Sequence, residues 1–106
     1  MTTSKSKQMV MAKPKQKTKR RRVTFSFQAT DAEEVILAGD FNHWDLDKHA
    51  MSHDGHGTWC KTVLIEPGRY EYKFFVDGNW KIDPRNDQTC VNSFGTRNSV
   101  LDIKSI

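Results

Sequence analysis

After residue 22 apolar and polar residues alternate along much of the chain, and that period of two predicts strands. Val23, Phe25 and Phe27 alternate with Thr24 and Ser26, and residues 34–38 form a short β-branched apolar run that stops at Gly39. In residues 58–65, Trp59, Val63 and Ile65 fall on one side, with Cys60, Thr62 and Leu64 on the other. A Glu66-Pro67-Gly68 turn leads into residues 69–76. There Tyr70, Tyr72, Phe74 and Val76 share one face, and Glu71, Lys73, Phe75 and Asp77 share the opposite one. Asp77-Gly78 is a strong hairpin signal, because a tight primed turn needs positive φ, and residues 79–83 are expected to pair back. The last strand is expected over 99–104, with Leu101 and Ile103 facing away from Val100. No helical periodicity lasts beyond a turn or two. About seven short strands in 84 residues predict an all-β, immunoglobulin-like sandwich of two sheets.

Charge changes the picture at one end. Residues 1–22 hold nine Lys or Arg and no acid, whereas residues 23–106 hold the other eight against all 13 acids. The net charge of +4 therefore conceals a basic arm joined to a mildly acidic domain. The arm has few apolar groups to bury and is expected to be disordered over 1–22, with the sandwich over 23–106. Two readings of it stand: a solvated tail, or a tether to nucleic acid or another polyanion. It lacks aromatic residues to stack on bases, so such binding would be non-specific and salt-sensitive.

No segment is long and apolar enough to cross a bilayer, and neither a signal-peptide core nor a myristoylation signal is present. A cytoplasmic location without membrane attachment is expected. Cys60 and Cys90 lie far apart and form no CxxC motif, so two reduced structural thiols are expected. His43, His49, His53 and His56 lie near Asp45, Asp47 and Asp54, but in loose turn spacing that fits surface histidines better than a closed metal site. Asp40, Asp45, Asp77 and Asp83 sit where turns are expected and are read as exposed, backbone-bonding residues. No acid pair in a sheltered pocket emerges, and a sandwich of this size lacks room for a deep, lidded cleft. The chain is read as non-enzymatic, with no cofactor.

Trp44 and Trp80 stand outside the strand alternation, flanked by Asn42, His43, Asp45, Asn79 and Lys81. Trp59, by contrast, shares a face with Val63 and Ile65 and is read as core. Two loop tryptophans with Lys73 on the hairpin's polar face suit a flat, hydroxylated ligand such as a sugar ring.

The ordered motifs Gly39-Asp40-Phe41-Asn42-His43-Trp44, Pro67 through Trp80, and Asp83-Pro84 resemble the glycogen-binding domain of AMP-activated protein kinase beta subunits. That domain belongs to carbohydrate-binding module family 48, also called the isoamylase N-terminal or early-set domain. The resemblance runs over roughly residues 23–104 and implies non-catalytic binding of glycogen or a starch-like α-1,4-glucan. It implies that Trp44 and Trp80 stack on glucose rings and that Lys73 bonds hydroxyls. It also aligns Phe94-Gly95-Thr96-Arg97-Asn98 with a late loop in which an apolar residue enters the curve of the glucan helix. Phe94 takes that place, departing from the leucine typical of the kinase domains, and Thr96 and Asn98 would bond hydroxyls. From the residues alone, Asn98 and Thr96 also fit ordinary turn chemistry before the last strand.

The chain is expected to be a module standing alone, since neither the kinase-binding region of beta subunits nor a catalytic barrel follows the motif. Two alternatives are carried forward. One is an interaction module that docks protein or nucleic acid through the arm. The other is an accessory module that acts in trans with an amylolytic or glycogen-metabolising enzyme.

Overall fold

The computed structural model describes residues 19–105. The arm expected over 1–22 therefore lies mostly outside the described residues. Its last four residues are described, and two of them belong to strand β1, Arg21–Gln28, so Arg21 and Arg22 are the start of a strand and not the end of the arm. Both sit in register with β4, opposite Ile65 and Leu64, which is why the strand begins before the apolar alternation does.

The remaining strands are β2 (Val35–Gly39), β3 (Ser52–His53), β4 (Thr58–Ile65), β5 (Gly68–Val76), β6 (Asn79–Lys81), β7 (Thr89–Val91) and β8 (Arg97–Ile103). They form two antiparallel sheets. One has the order β1-β4-β3; the other has the order β2-β5-β8-β7, with β6 paired to β5. The all-β sandwich read from the alternation is the fold observed.

The sheets close over one aromatic core. Phe25, Phe27, Trp59 and Ile65 come from the three-stranded sheet, and Val35, Leu37, Tyr72, Phe74 and Val76 from the larger one. Phe25 meets Tyr72 edge-on at 5.1 Å, and Phe27 lies 4.9 Å from Phe74, so aromatic pairs bridge the layers. Each fully buried ring of this kind contributes roughly 2–3 kcal/mol through removal of apolar area from water. The indole of Trp59 donates to the Ala29 carbonyl at 3.1 Å, which satisfies the polar atom that its burial would otherwise strand.

Two connections escaped the alternation. The segment 49–51 runs along the outer edge of β2, where Leu37 N–H donates to the His49 carbonyl and Met51 N–H to the Val35 carbonyl, before the chain crosses to β4 as β3. Strand β7 is only half-buried and carries no alternating pattern; β8 alone defines it as a strand.

Strand β5 is the centre of the site-bearing sheet. Along one edge it pairs with β2; along the other it pairs first with β8 and then with β6. The β5–β6 turn has Asp77 at φ 48° and Gly78 at φ 85°, the positive pair that a primed hairpin turn requires. The Asp77 carboxylate accepts the backbone N–H groups of Glu33 and Glu34, tying the hairpin tip to the start of β2.

Candidate functional site

With Tyr72, Phe74 and Val76 turned into the core, alternation sends Glu71, Lys73 and Phe75 to the other side of β5. Glu71 and Lys73 of that outward face form the floor of an open groove of about 1260 Å³, whose lining includes Trp44, Trp80, Phe94, Thr96 and Asn98. All six candidate residues thus line one depression, although they come from β5, β6, β8 and two loops. Trp80 stands opposite Phe75 in the hairpin register and packs on its ring at 4.7 Å. Its own ring remains 45% exposed. Phe94 is 88% exposed at the tip of the β7–β8 loop.

Trp44 is placed by a single turn of 3-10 helix, Asp40–Asn42, that follows β2. Both His43 and Trp44 adopt left-handed backbone at φ 58°. A bulky residue there is strained, so the surroundings must hold it. Trp44 N–H donates to the Gly39 carbonyl at 2.9 Å, and the indole Nε1–H donates to Asp40 Oδ1 at 2.9 Å. Its ring centroid is 6.0 Å from that of Trp80 with 68° between the planes. The two indoles therefore make an angled corner, not a flat shelf.

Buried Asn42 staples that turn to β2. Its Oδ1 accepts Gly39 N–H, while its Nδ2 donates to the Leu37 carbonyl and to Nδ1 of His49 at 2.8 Å. Nδ1 must be unprotonated to accept. Desolvation, reinforced by Lys61 and Lys48, holds the His49 pKa below its ordinary value. The folded state thus prefers neutral His49, and its contribution is complete above the unfolded value of about 6.5. It is lost as pH falls from there through the lowered folded value. Wild-type protein is expected to melt lower at pH 5 than at pH 7.5. A His49→Gln variant, which keeps an acceptor but cannot titrate, should show a smaller pH dependence in the same melting series.

Lys73, on the face of β5 turned away from the core, is nevertheless only 8% exposed. Its Nζ donates to Thr96 Oγ1 at 3.3 Å, a long contact that leaves donor capacity directed at the groove. Asn98, 7% exposed, is engaged on both sides. Its Nδ2 donates to Glu71 Oε1 at 3.0 Å, and its Oδ1 accepts from Asn92 Nδ2 at 2.9 Å. Each end of the amide keeps one further hydrogen-bonding position.

Sequence reasoning missed Asn92 and Glu71. Asn92 organises the loop that carries Phe94: its Oδ1 accepts Phe94 N–H and Thr96 N–H, and its Nδ2 reaches Thr96 Oγ1 as well as Asn98. The available signal was an Asn two residues before a loop tip, where an Asx turn forms. Asn92→Ala removes partners from four donor or acceptor contacts, and a loss of about 1–2 kcal/mol in urea unfolding is expected. Glu71 was read as a plain outward strand residue. Its carboxylate accepts from Asn98 and pairs with Arg69 at 3.0 Å. Hydrogen bonds from Asn98, Cys90 and Arg69 hold its pKa below the usual carboxylate range. A general acid needs the opposite shift.

One of the four turn aspartates also departs from expectation. Asp83 is buried, accepting the Tyr72 hydroxyl at 2.7 Å and Arg85 N–H at 2.9 Å. Burial in turn pushes the Tyr72 pKa well up. Among the described residues, no three His, Cys, Asp or Glu side chains converge in a way that could hold a metal ion.

Comparison with known proteins fits this geometry. A family profile described as the glycogen recognition site of AMP-activated protein kinase matches residues 21–106. Protein PTST homolog 2, chloroplastic, from Arabidopsis thaliana is 39% identical over 72 residues, covering 68% of this chain and 13% of that protein. Protein FLOURY ENDOSPERM 6, chloroplastic, from Oryza sativa subsp. japonica is 34% identical over 82 residues, 77% of this chain and 15% of its own length. The 5'-AMP-activated protein kinase subunit beta-1 of Bos taurus is 35% identical over 72 residues, 68% of this chain and 25% of the subunit. The match thus spans a quarter or less of each of these relatives.

Proposed function

The chain belongs to the family of AMP-activated protein kinase glycogen recognition sites, and from that premise we propose that its groove binds α-1,4-glucan without cleaving it. Support comes chiefly from one observation: three aromatic residues, two of them exposed and Trp44 half-buried, line a single groove together with a floor of hydrogen-bonding groups. A pyranose ring has apolar C–H faces and a polar rim. The faces lie against the indoles of Trp44 and Trp80, and the rim hydroxyls meet Lys73, Thr96 and Asn98. Phe94 adds an apolar face at the far side, toward the curve of a glucan helix. The 68° corner between the tryptophans suits a chain whose successive rings turn, since a curved glucan presents neighbouring rings at different angles.

The floor supplies donors and acceptors in one connected network, from Arg69 and Glu71 through Asn98 and Asn92 to Thr96 and Lys73. Such a network needs little reorganisation when hydroxyls replace water. The site is open, so many sugar hydroxyls stay wet and micromolar to millimolar affinity is expected.

Calorimetric titration with β-cyclodextrin and glycogen, at low and high salt, tests the reading. Binding that ignores ionic strength supports it, because the ligand is neutral. Binding that weakens steeply with salt favours the basic arm and a polyanionic partner instead. Release of reducing ends from glycogen would contradict the non-catalytic part. The same proposal includes delivery of an amylolytic or glycogen-metabolising enzyme to the polymer, and the cytoplasm as its place. Co-sedimentation with glycogen in cell extract checks the first and fractionation the second.

A further inference from the structure

Asp40 makes none of the glucan contacts proposed above, yet each of its carboxylate oxygens holds part of the groove. Oδ1 accepts the indole Nε1–H of Trp44 at 2.9 Å, and Oδ2 accepts the backbone N–H of Glu71 at 2.8 Å. The first contact reaches the loop that carries one wall; the second reaches the central strand that carries the floor. Without a restraint, two successive left-handed residues, His43 and Trp44, would relax toward ordinary backbone.

We propose that Asp40 is a positioning residue for glucan recognition. It fixes the Trp44 indole at its angle to Trp80 and locks that loop to β5, so the corner exists before ligand arrives. This rests on the α-glucan reading of the groove. A carboxylate suits the task because it only accepts, and both of its partners only donate. Asparagine can serve one of them but then turns an N–H toward the other, and alanine serves neither.

The test uses the full chain, ¹⁵N-labelled, with the indole N–H signals as a readout that needs no ligand. The Trp59 signal, held by the Ala29 carbonyl, is the internal reference. In Asp40→Ala the Trp44 signal should move toward that of a solvent-bonded indole and the Trp59 signal should stay. β-Cyclodextrin affinity should fall about five- to tenfold, with Asp40→Asn between wild type and alanine. Trp44→Phe keeps an aromatic face but has no N–H. In that background the indole contact is already absent, so Asp40→Ala should cost less affinity than it does in the wild type, about two- to threefold, through loss of the Glu71 contact alone.

An unmoved Trp44 signal in Asp40→Ala overturns the proposal. So does an equal loss of affinity in the Trp44→Phe background. If Asp40→Ala does not fold, the same comparisons are made with Asp40→Asn. Failure of the wild type to bind cyclodextrin overturns the glucan reading alone, and the indole signals still decide whether Asp40 holds the ring.

Discussion

Replacing Trp44 and Trp80 together by alanine should lower β-cyclodextrin affinity by about a thousandfold, which for a weak site means no measurable binding. Aromatic anchors at the centre of an interface typically cost about 2 kcal/mol each on truncation, and two such losses, taken as additive, correspond to roughly that factor. The rings meet at 6.0 Å, close enough to couple, so the double variant could lose less than the sum of the singles. The fold should survive. Trp80 lies on the solvent side of β5, and what its removal uncovers is mainly the ring of Phe75. Trp44 sits in a loop and belongs neither to the core nor to the residues packed against it, so its truncation leaves the core intact. A melting temperature within a few degrees of wild type, measured beside the titration, separates loss of a site from loss of a fold. Retained binding in the folded double variant would move the ligand site away from this groove.

What could be read in the sequence was the part in which local chemistry and tertiary structure agree. The face of β5 that carries Tyr72, Phe74 and Val76 is buried because alternation and core demand the same thing. The Asp77-Gly78 turn follows from backbone geometry that few residues other than Asn, Asp and Gly reach easily, and it needed no distant partner to be recognised. Lys73 exposes the limit of such reasoning. Alternation correctly turned it away from the core, but could not show that the Thr96 loop and Trp80 wall would cover it. Asp83 failed for the same reason: a turn residue by local signals, it is buried because Tyr72 on β5 brings a hydroxyl to it. Strand β7 has no pattern of its own and is created by pairing with β8. Asn92 was hidden because asparagine in a loop is commonplace, and only the four contacts converging on it mark this one. The six proposed ligand residues were found through ordered motifs of a known family. Physical reasoning alone carried Trp44, Trp80 and Lys73 as far as a sugar ring, and left Phe94, Thr96 and Asn98 as ordinary loop residues.

Gly39→Ala should be the most damaging single substitution near the groove, and for a reason unrelated to glycine's flexibility. Gly39 is extended, φ −172° and ψ −175°, a conformation open to any residue. The difficulty is space. A Cβ there would lie 2.7 Å from the Glu71 carbonyl oxygen, 2.7 Å from Tyr72 Cβ and 2.9 Å from the Phe41 ring. The nearest obstacles belong to the central strand, so β2 and β5 would have to separate where the 3-10 turn begins. Overpacking of this kind costs about 3 kcal/mol, a large share of the stability of a small domain. The damage should extend to ligand binding. Gly39 supplies the carbonyl that accepts Trp44 N–H and the N–H that Asn42 accepts, so displacing it disturbs the whole loop. Gly78→Ala is the matching control. It has open space around its Cβ but a φ of 85°, so it meets only left-handed strain, about 1 kcal/mol, and leaves the groove floor untouched. Urea unfolding of both variants tests the contrast. If Gly78→Ala proves the more costly, backbone conformation outweighs close approach here, and the tight contact between β2 and β5 would not be what sets the Trp44 loop.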